Sequence, residues 1–259
     1  MCQDAATAIP QNPKSGPAFR HHMAAARTPG NRLLAAVNRA DYARLQPHFK
    51  TVSLTQHQVL IKPGHRNGRV YFPDEGFGSV LTVIKNEAAV ETTAVGAEGV
   101  IGLPLLFHGL IGSTQVVVHM PGRATAVNAA ALQRAIEESA ALRKLFGAYV
   151  RVFVIQVMQT VACNALHSTE QRMAKWLLMS ADRVDGAGIP LTHEIFAEML
   201  SVGRPTVSLT ARKLQTAGVI SYARGRIAIE NRRKLERLAC PCYRVIHRAY
   251  EHLLPLTYK

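Results

Sequence analysis

Residues 191–220 read LTHEIFAEMLSVGRPTVSLTARKLQTAGVI. They hold two short amphipathic segments, a break over Ser201–Gly203 and a proline just inside the second segment. Thr192 is placed to cap a first helix whose buried face is Ile195, Phe196, Met199 and Leu200. Pro205 suits the first turn of the next helix, where a missing N–H costs nothing. That second helix buries Val207 and Leu214, with Thr210 or Ala211 beside them. Arg204, Thr206, Ser208, Arg212 and Lys213 are left for its open face. Two helices crossing through a tight turn, with short polar side chains and Arg at the start of the second, have the layout of a helix-turn-helix. The residue types follow from geometry. A helix entering the major groove by its amino end needs short side chains for close approach, and an Arg to fork onto a guanine edge or a phosphate.

The next stretch, AGVISYARGRIAIEN (217–231), strengthens this reading. Gly218 closes the second helix. VISY and RIAIE alternate as strands around ARG, which predicts a β-hairpin with Arg224 and Arg226 at its tip. A helix-turn-helix followed at once by a two-stranded wing is a winged helix, and basic tips suit phosphates. The bland alternative is a packed helical hairpin whose basic face is only solvated. Charge argues against it. The chain has 31 Lys+Arg against 17 Asp+Glu, a net charge of +14 and a pI near 10.1. Such an excess favours polyanions, nucleic acid first and an anionic membrane second. From Glu170 onward there are fifteen Lys/Arg and eight Asp/Glu, so the carboxy-terminal third is denser in positive charge.

The 259 residues suffice for two ordinary domains, and 48% hydrophobic residues predict a folded chain. The first thirty residues are rich in Ala, Pro and Gly, with no apolar core of signal-peptide length, and predict a disordered tail. NRLLAAVNRADYARL, from Asn31, reads as one short amphipathic helix. Between Thr51 and Val127, short Val- and Thr-rich runs separated by Gly, Pro, Asn or Asp predict an all-β sandwich or barrel. At Asn128 the period becomes helical, with Asn128 as cap. Ser139 is placed to cap a longer helix reaching about His167. Its apolar positions Leu142, Phe146, Tyr149, Val150, Phe153, Val157 and Val161 recur at steps of three and four. Leu145 and Val154 widen the stripe. This is read as a homodimer seam, with a single buried helix as the alternative. The most apolar part, LFGAYVRVFVIQVM (145–158), is interrupted by Arg151, so no membrane span is expected and the expected location is cytoplasmic.

A short-strand β domain, a long helix and a winged helix, in that order, resemble the Crp/Fnr superfamily of bacterial transcription regulators over roughly residues 32–237. The resemblance is most specific in residues 191–229. There Arg204, Pro205, Thr206 and Val207 stand where the family's recognition helix carries Arg, a variable residue, Ser/Thr and Val. It implies an α+β fold: a jelly-roll-like β-roll sensory domain (31–138), a dimerisation helix (139–167) and a winged helix-turn-helix domain (168–259) after the tail (1–30). It further implies a homodimer on a palindromic operator in double-stranded DNA, contacted by Thr192, Arg204, Pro205, Thr206, Ser208, Arg212, Lys213, Arg224 and Arg226, with RNA polymerase a candidate partner. The cyclic-AMP receptor has Glu at Pro205 and a second Arg at Leu209, so a different operator is expected. The family's turn usually has Gly where Ser201 stands, which implies some strain.

Many family members bind a cyclic nucleotide through a Glu on the ribose and an Arg on the phosphate. The matching stretch here is EGVIGLPLLFHGLIGSTQVVV (98–118). Leu103 replaces the Glu, and Ser113–Thr114 replace Arg–Ser, so cyclic AMP is not the expected effector. The family's iron–sulfur sensors hold three cysteines close together near the amino end, where this chain has only Cys2. His57, His65, His108 and His119 are read as surface or core residues rather than haem ligands. Cys163, Cys240 and Cys242 lack zinc spacing, so no metal site or cofactor is expected. Cys240–Pro241–Cys242 is strained for an internal disulfide. No nucleophile–base pair, phosphate loop or HExxH is present, so no enzyme is expected. The remaining class is a small-ligand module acting through protein contacts, against which the missing anchors and the basic wing both count.

Overall fold

The computed structural model describes residues 30–65, 68–84, 89–107, 114–184, 188–223, 225–255 and 257. The expected tail at 1–30 lies outside them except for Gly30. The segment from Asn31 forms two helices rather than one: α1 (Arg32–Ala35) and α2 (Arg39–Leu45). Asn38 breaks it. Its backbone is extended, and its side chain accepts the Asp41 N–H at 2.9 Å, which starts a new helix there.

Among the described residues, seven strands follow. They are β1 (Phe49–Leu54), β2 (Val59–Ile61), β3 (Arg69–Pro73), β4 (Phe77–Thr82), β5 (Val90–Val95), β6 (Thr114–Met120) and β7 (Gly122–Asn128). They pair antiparallel in two sheets, of order β1-β7-β3 and β2-β6-β4-β5. Alternation along β6 and β7 buries Val116, Val118, Ala124 and Ala126 inside the roll.

α3 (Ala129–Glu138) begins at the Asn128 cap, as read from sequence. α4 (Ala140–Leu166) begins at Ser139, whose side chain accepts the Leu142 N–H at 3.3 Å. By length and composition alone α4 is apolar enough to cross a bilayer. In this fold its face of Leu142, Phe146, Tyr149, Val152, Gln156 and Thr160 is buried in the chain's own core. Tyr149 fits only because residue 99 is glycine: a Cβ there would sit 2.1 Å from the phenol oxygen. That oxygen accepts the Val100 N–H at 3.1 Å.

α5 (Thr169–Ala181) opens on a capping box of Ser168 and Gln171. Then come α6 (His193–Leu200), α7 (Arg204–Thr216), the hairpin β8 (Ile220–Ala223)–β9 (Arg226–Ile229), α8 (Arg232–Leu238) and α9 (Cys242–Leu253). α9 lies along α4 and buries Tyr243, Ile246 and Tyr250. Polar contacts from two side chains of the roll, Glu98 and His119, help join it to the helical half. Arg183, just after α5, meets the fully buried Glu98 carboxylate at 2.9 Å and donates to the Ala94 carbonyl at 3.1 Å. His119 on β6 meets Glu198 on α6 at 3.3 Å. Burial pushes the His119 pKa down to about 4, with His57 adding to the effect. The imidazole is therefore neutral near pH 7, sharing one hydrogen bond with Ser79 (2.7 Å) and donating from Nε2 to Glu198.

Candidate nucleic-acid interface

α6 and α7 are fixed by their ends. Thr192 Oγ1 accepts the Ile195 N–H at 3.4 Å, so its role is to start α6. α6 stops at Ser201, whose φ of 50° and ψ of 48° are left-handed. Two backbone bonds close the end: Ser201 N–H to the Glu198 carbonyl (3.2 Å) and Val202 N–H to Ala197 (3.1 Å). This is the double-bonded helix stop that normally uses glycine. α7 ends the same way with glycine in place: Gly218 has φ 65°, its N–H bonds Gln215, and the Val219 N–H bonds Leu214. Lys234 adds a cation at that end, donating to the Ala217 carbonyl at 2.7 Å. The buried face of α7 is Val207, Thr210, Ala211 and Leu214.

The opposite face carries most of the expected residues. Arg204, Pro205, Thr206, Arg212 and Lys213 are exposed. Arg204 is held rather than free: its Nε meets Glu194 at 2.8 Å. The Glu194 carboxyl lies below the ordinary carboxylate range, first through its own backbone N–H and then through Arg204. With Nε engaged, the two Nη groups remain for a base edge. Ser208 departs from expectation. It is half-buried, and its hydroxyl shares a 3.0 Å hydrogen bond with His193 Nδ1. The His193 ring stacks on Tyr222 of the wing at 4.7 Å. Ser208 therefore ties α7 to the start of α6 and the wing.

Leu209 was missed. It is 59% exposed and lies at the middle of the open face, with Pro205 and Arg212 one turn to either side. The spacing carried that placement in the sequence, since Pro205 lies four residues before it and Arg212 three after. On the wing, Ala223 pairs with Arg226 across a two-residue turn, and Gly225 has φ 74°. Arg226 is exposed and donates to the Gly188 carbonyl at 2.9 Å. Arg224 lies outside the described residues.

The expected dimer seam needs correction. Leu142, Phe146 and Tyr149 are each 1% exposed and packed inside their own chain, with no area left for a partner. Phe153 and Val157 are half-buried and line a cavity of the roll. Of the positions read as seam, Val161 is open, at 63%. Val154 (47%) and Met158 (64%) join it on the same face.

That cavity has a volume of about 210 Å³. Leu103, Ile61, Val80 and Ile101 line it from the roll and Phe153 from α4, and none of the described lining residues is charged. Thr114 lines it too, whereas Ser113 and His108 lie outside the described residues. The expectation of no metal pattern also meets a different geometry. The fold brings Cys163, His167, Cys240 and Cys242 together, with one ligand atom of each within 4.8 Å of the others.

Two helices meeting at a tight turn, a two-stranded wing and a β-roll joined by one long helix define a winged helix-turn-helix protein with an amino-terminal β-roll. Residues 171–238 match the Crp-like helix-turn-helix domain. Solved structures agree on the architecture. FixK2 from Bradyrhizobium japonicum is 14% identical and aligns over 74% of this chain and 98% of its own, with a TM-score of 0.60. A Crp/Fnr-family transcriptional regulator from Thermus thermophilus is 21% identical over 73% and 98%, with a TM-score of 0.57. The c-di-GMP responsive regulator CLP of Xanthomonas campestris is 13% identical over 74% and 99%, with a TM-score of 0.58. Curated protein sequences gave no match. The chain thus carries a Crp-like helix-turn-helix domain in the fold of Crp/Fnr transcription regulators.

Proposed function

We propose that this protein is a sequence-specific, DNA-binding regulator of transcription that works in the cytoplasm as a homodimer, by binding rather than by catalysis. The observation that carries the reading is the open face of α7, where Arg204, Thr206, Leu209 and Arg212 stand clear beside an exposed wing arginine. Arg204 reads a guanine through its two Nη groups. Leu209 packs on a thymine methyl. Lys213, Arg226 and Arg224 contact phosphates. Thr192, Pro205 and Ser208 shape the reading head instead of reading bases. Two chains pair along the Val154, Met158 and Val161 face of α4, which places two reading helices on a palindromic operator. RNA polymerase is the partner expected at an activated promoter.

The roll is the sensing part, and α4 couples it to the reading head because Phe153 closes the cavity from the helix side. The described lining residues are uncharged, which suits a small apolar molecule, and among them no cation meets a cyclic phosphate. Titrating the DNA upstream of its own gene with the full chain, by fluorescence anisotropy, tests the reading. Arg204→Ala is expected to weaken cognate DNA by about 1–3 kcal/mol and random DNA far less. Arg226→Ala is expected to weaken both alike and to flatten the salt slope by about one unit. If neither change affects binding, the hairpin is only packed structure.

A further inference from the structure

The cysteine and histidine cluster lies away from the reading face and the roll cavity. Cys163 lies in the last turn of α4, and His167 is the extended residue that ends it, its N–H bonded to the Cys163 carbonyl at 3.1 Å. Cys240 and Cys242 flank Pro241 at the start of α9. More than seventy residues separate the two pairs. The fold sets Cys163 Sγ 3.4 Å from Cys240 Sγ, and Cys242 Sγ 3.6 Å from His167 Nδ1.

We propose that Cys163, His167, Cys240 and Cys242 bind a single Zn²⁺ as a closed, structural site. Zinc at about 2.3 Å from sulfur and 2.0–2.1 Å from nitrogen, in a tetrahedron, separates two sulfurs by about 3.8 Å and sulfur from nitrogen by about 3.6 Å. The two contacts already lie within a few tenths of an ångström of these spacings. Four donor atoms within 4.8 Å of one another surround one ion, whereas a multi-iron cluster would hold them further apart. Three thiolates and an imidazole are the donors that favour zinc over magnesium or calcium. Burial argues for structure rather than catalysis. The three cysteines are at most 3% exposed, and the four donors complete the coordination with no position for a substrate.

Charge balance supports the same assignment. Three thiolates and Zn²⁺ sum to one negative charge. Lys175 of α5 is 1% exposed, and its ammonium lies beside the Cys163 sulfur. A buried lysine there neutralises the loaded site and is costly against three neutral thiols. Loading releases the thiol protons to solvent, so zinc affinity falls as pH falls.

The position gives the metal a task. His167 caps the end of α4, and Ser168 caps the start of α5, so the two segments join at the site. The Cys240 N–H reaches the Gln171 carbonyl at 3.4 Å. Zinc would clamp the chain beyond the wing onto the junction between the long helix and the reading head.

The test is metal content. Untagged full-length protein is expected to carry about one zinc per chain by mass spectrometry of the elements, and Cys2→Ser is expected to leave this unchanged. Cys163→Ser and Cys242→Ser are expected to weaken zinc at least about 100-fold in competition with a chromophoric chelator, more than loss of an outer-shell partner costs. His167→Cys is expected to retain it. Cobalt(II) loaded into the unaltered protein is expected to show the intense visible absorption of a tetrahedral thiolate site, a readout that needs no variant to fold. Protein that neither contains zinc nor takes it up overturns the assignment. So does iron at the site, a Cys163–Cys240 disulfide in freshly prepared metal-free protein, or zinc that persists in the C163S/C242S double variant.

Discussion

Glu91 on β5 is 2% exposed, and neither carboxyl oxygen has a hydrogen-bond partner. The Ser79 hydroxyl lies beside it without hydrogen-bond geometry. Burial is the main force and pushes its pKa from 4.5 up to about 8, against the opposing influence of Ser79, Lys175 and Arg183. The sign follows from proton counting. Between these two values the unfolded chain has lost the proton and the folded chain keeps it. Stability therefore falls as pH rises, by about 1.4 kcal/mol per pH unit, until the folded group also ionises near pH 8. From about pH 5.5 to about pH 7.5 the contribution is on the order of 3 kcal/mol. Glu91→Gln keeps the shape and removes the titration. Urea unfolding of both proteins at the two pH values gives the result. The stability gain from the substitution is expected to grow by about 2–3 kcal/mol between the lower and the higher pH. Parallel pH dependences would refute the reasoning and place a cation or water on the carboxylate.

Three further outcomes are expected. Met158→Glu sets a charge in the open face of α4, where the side chain is 64% exposed in the single chain. Light scattering is expected to show a shift to monomer, with little change in the monomer's melting temperature because nothing in its own core is disturbed. Ser201→Gly relieves a left-handed backbone and is expected to stabilise the fold by about 0.5–1 kcal/mol in urea titration, with DNA affinity unchanged. Leu209→Ala is expected to cost about 1 kcal/mol at one A·T position of the operator, read by comparing operators changed at that base pair; equal losses at every position would remove Leu209 from the reading face.

The reading head was legible in the sequence because its signals are local. Caps, turn residues and a 3.6-residue period act within a few positions. Thr192, Ser201, Pro205 and Gly218 therefore predict where α6 and α7 begin and end, and Val207, Thr210, Ala211 and Leu214 predict the buried face. The wing and the uncharged match at Leu103 were legible for the same reason. α4 was not. It is apolar on more than one side, so period alone could not tell which stripe faces the chain's own core. Only packing against the roll and α9 buried Leu142, Phe146 and Tyr149 and left Val154, Met158 and Val161 open. Ser208 lay on the expected face by spacing, but His193 and Tyr222, brought in by α6 and the wing, turned it inward. Cys163 and His167 meet Cys240 and Cys242 only because α9 folds back along α4. Features that depend on neighbours along the chain are readable from residue order. Which apolar surface stays free, and which distant side chains come within bonding distance, depends on how whole elements pack.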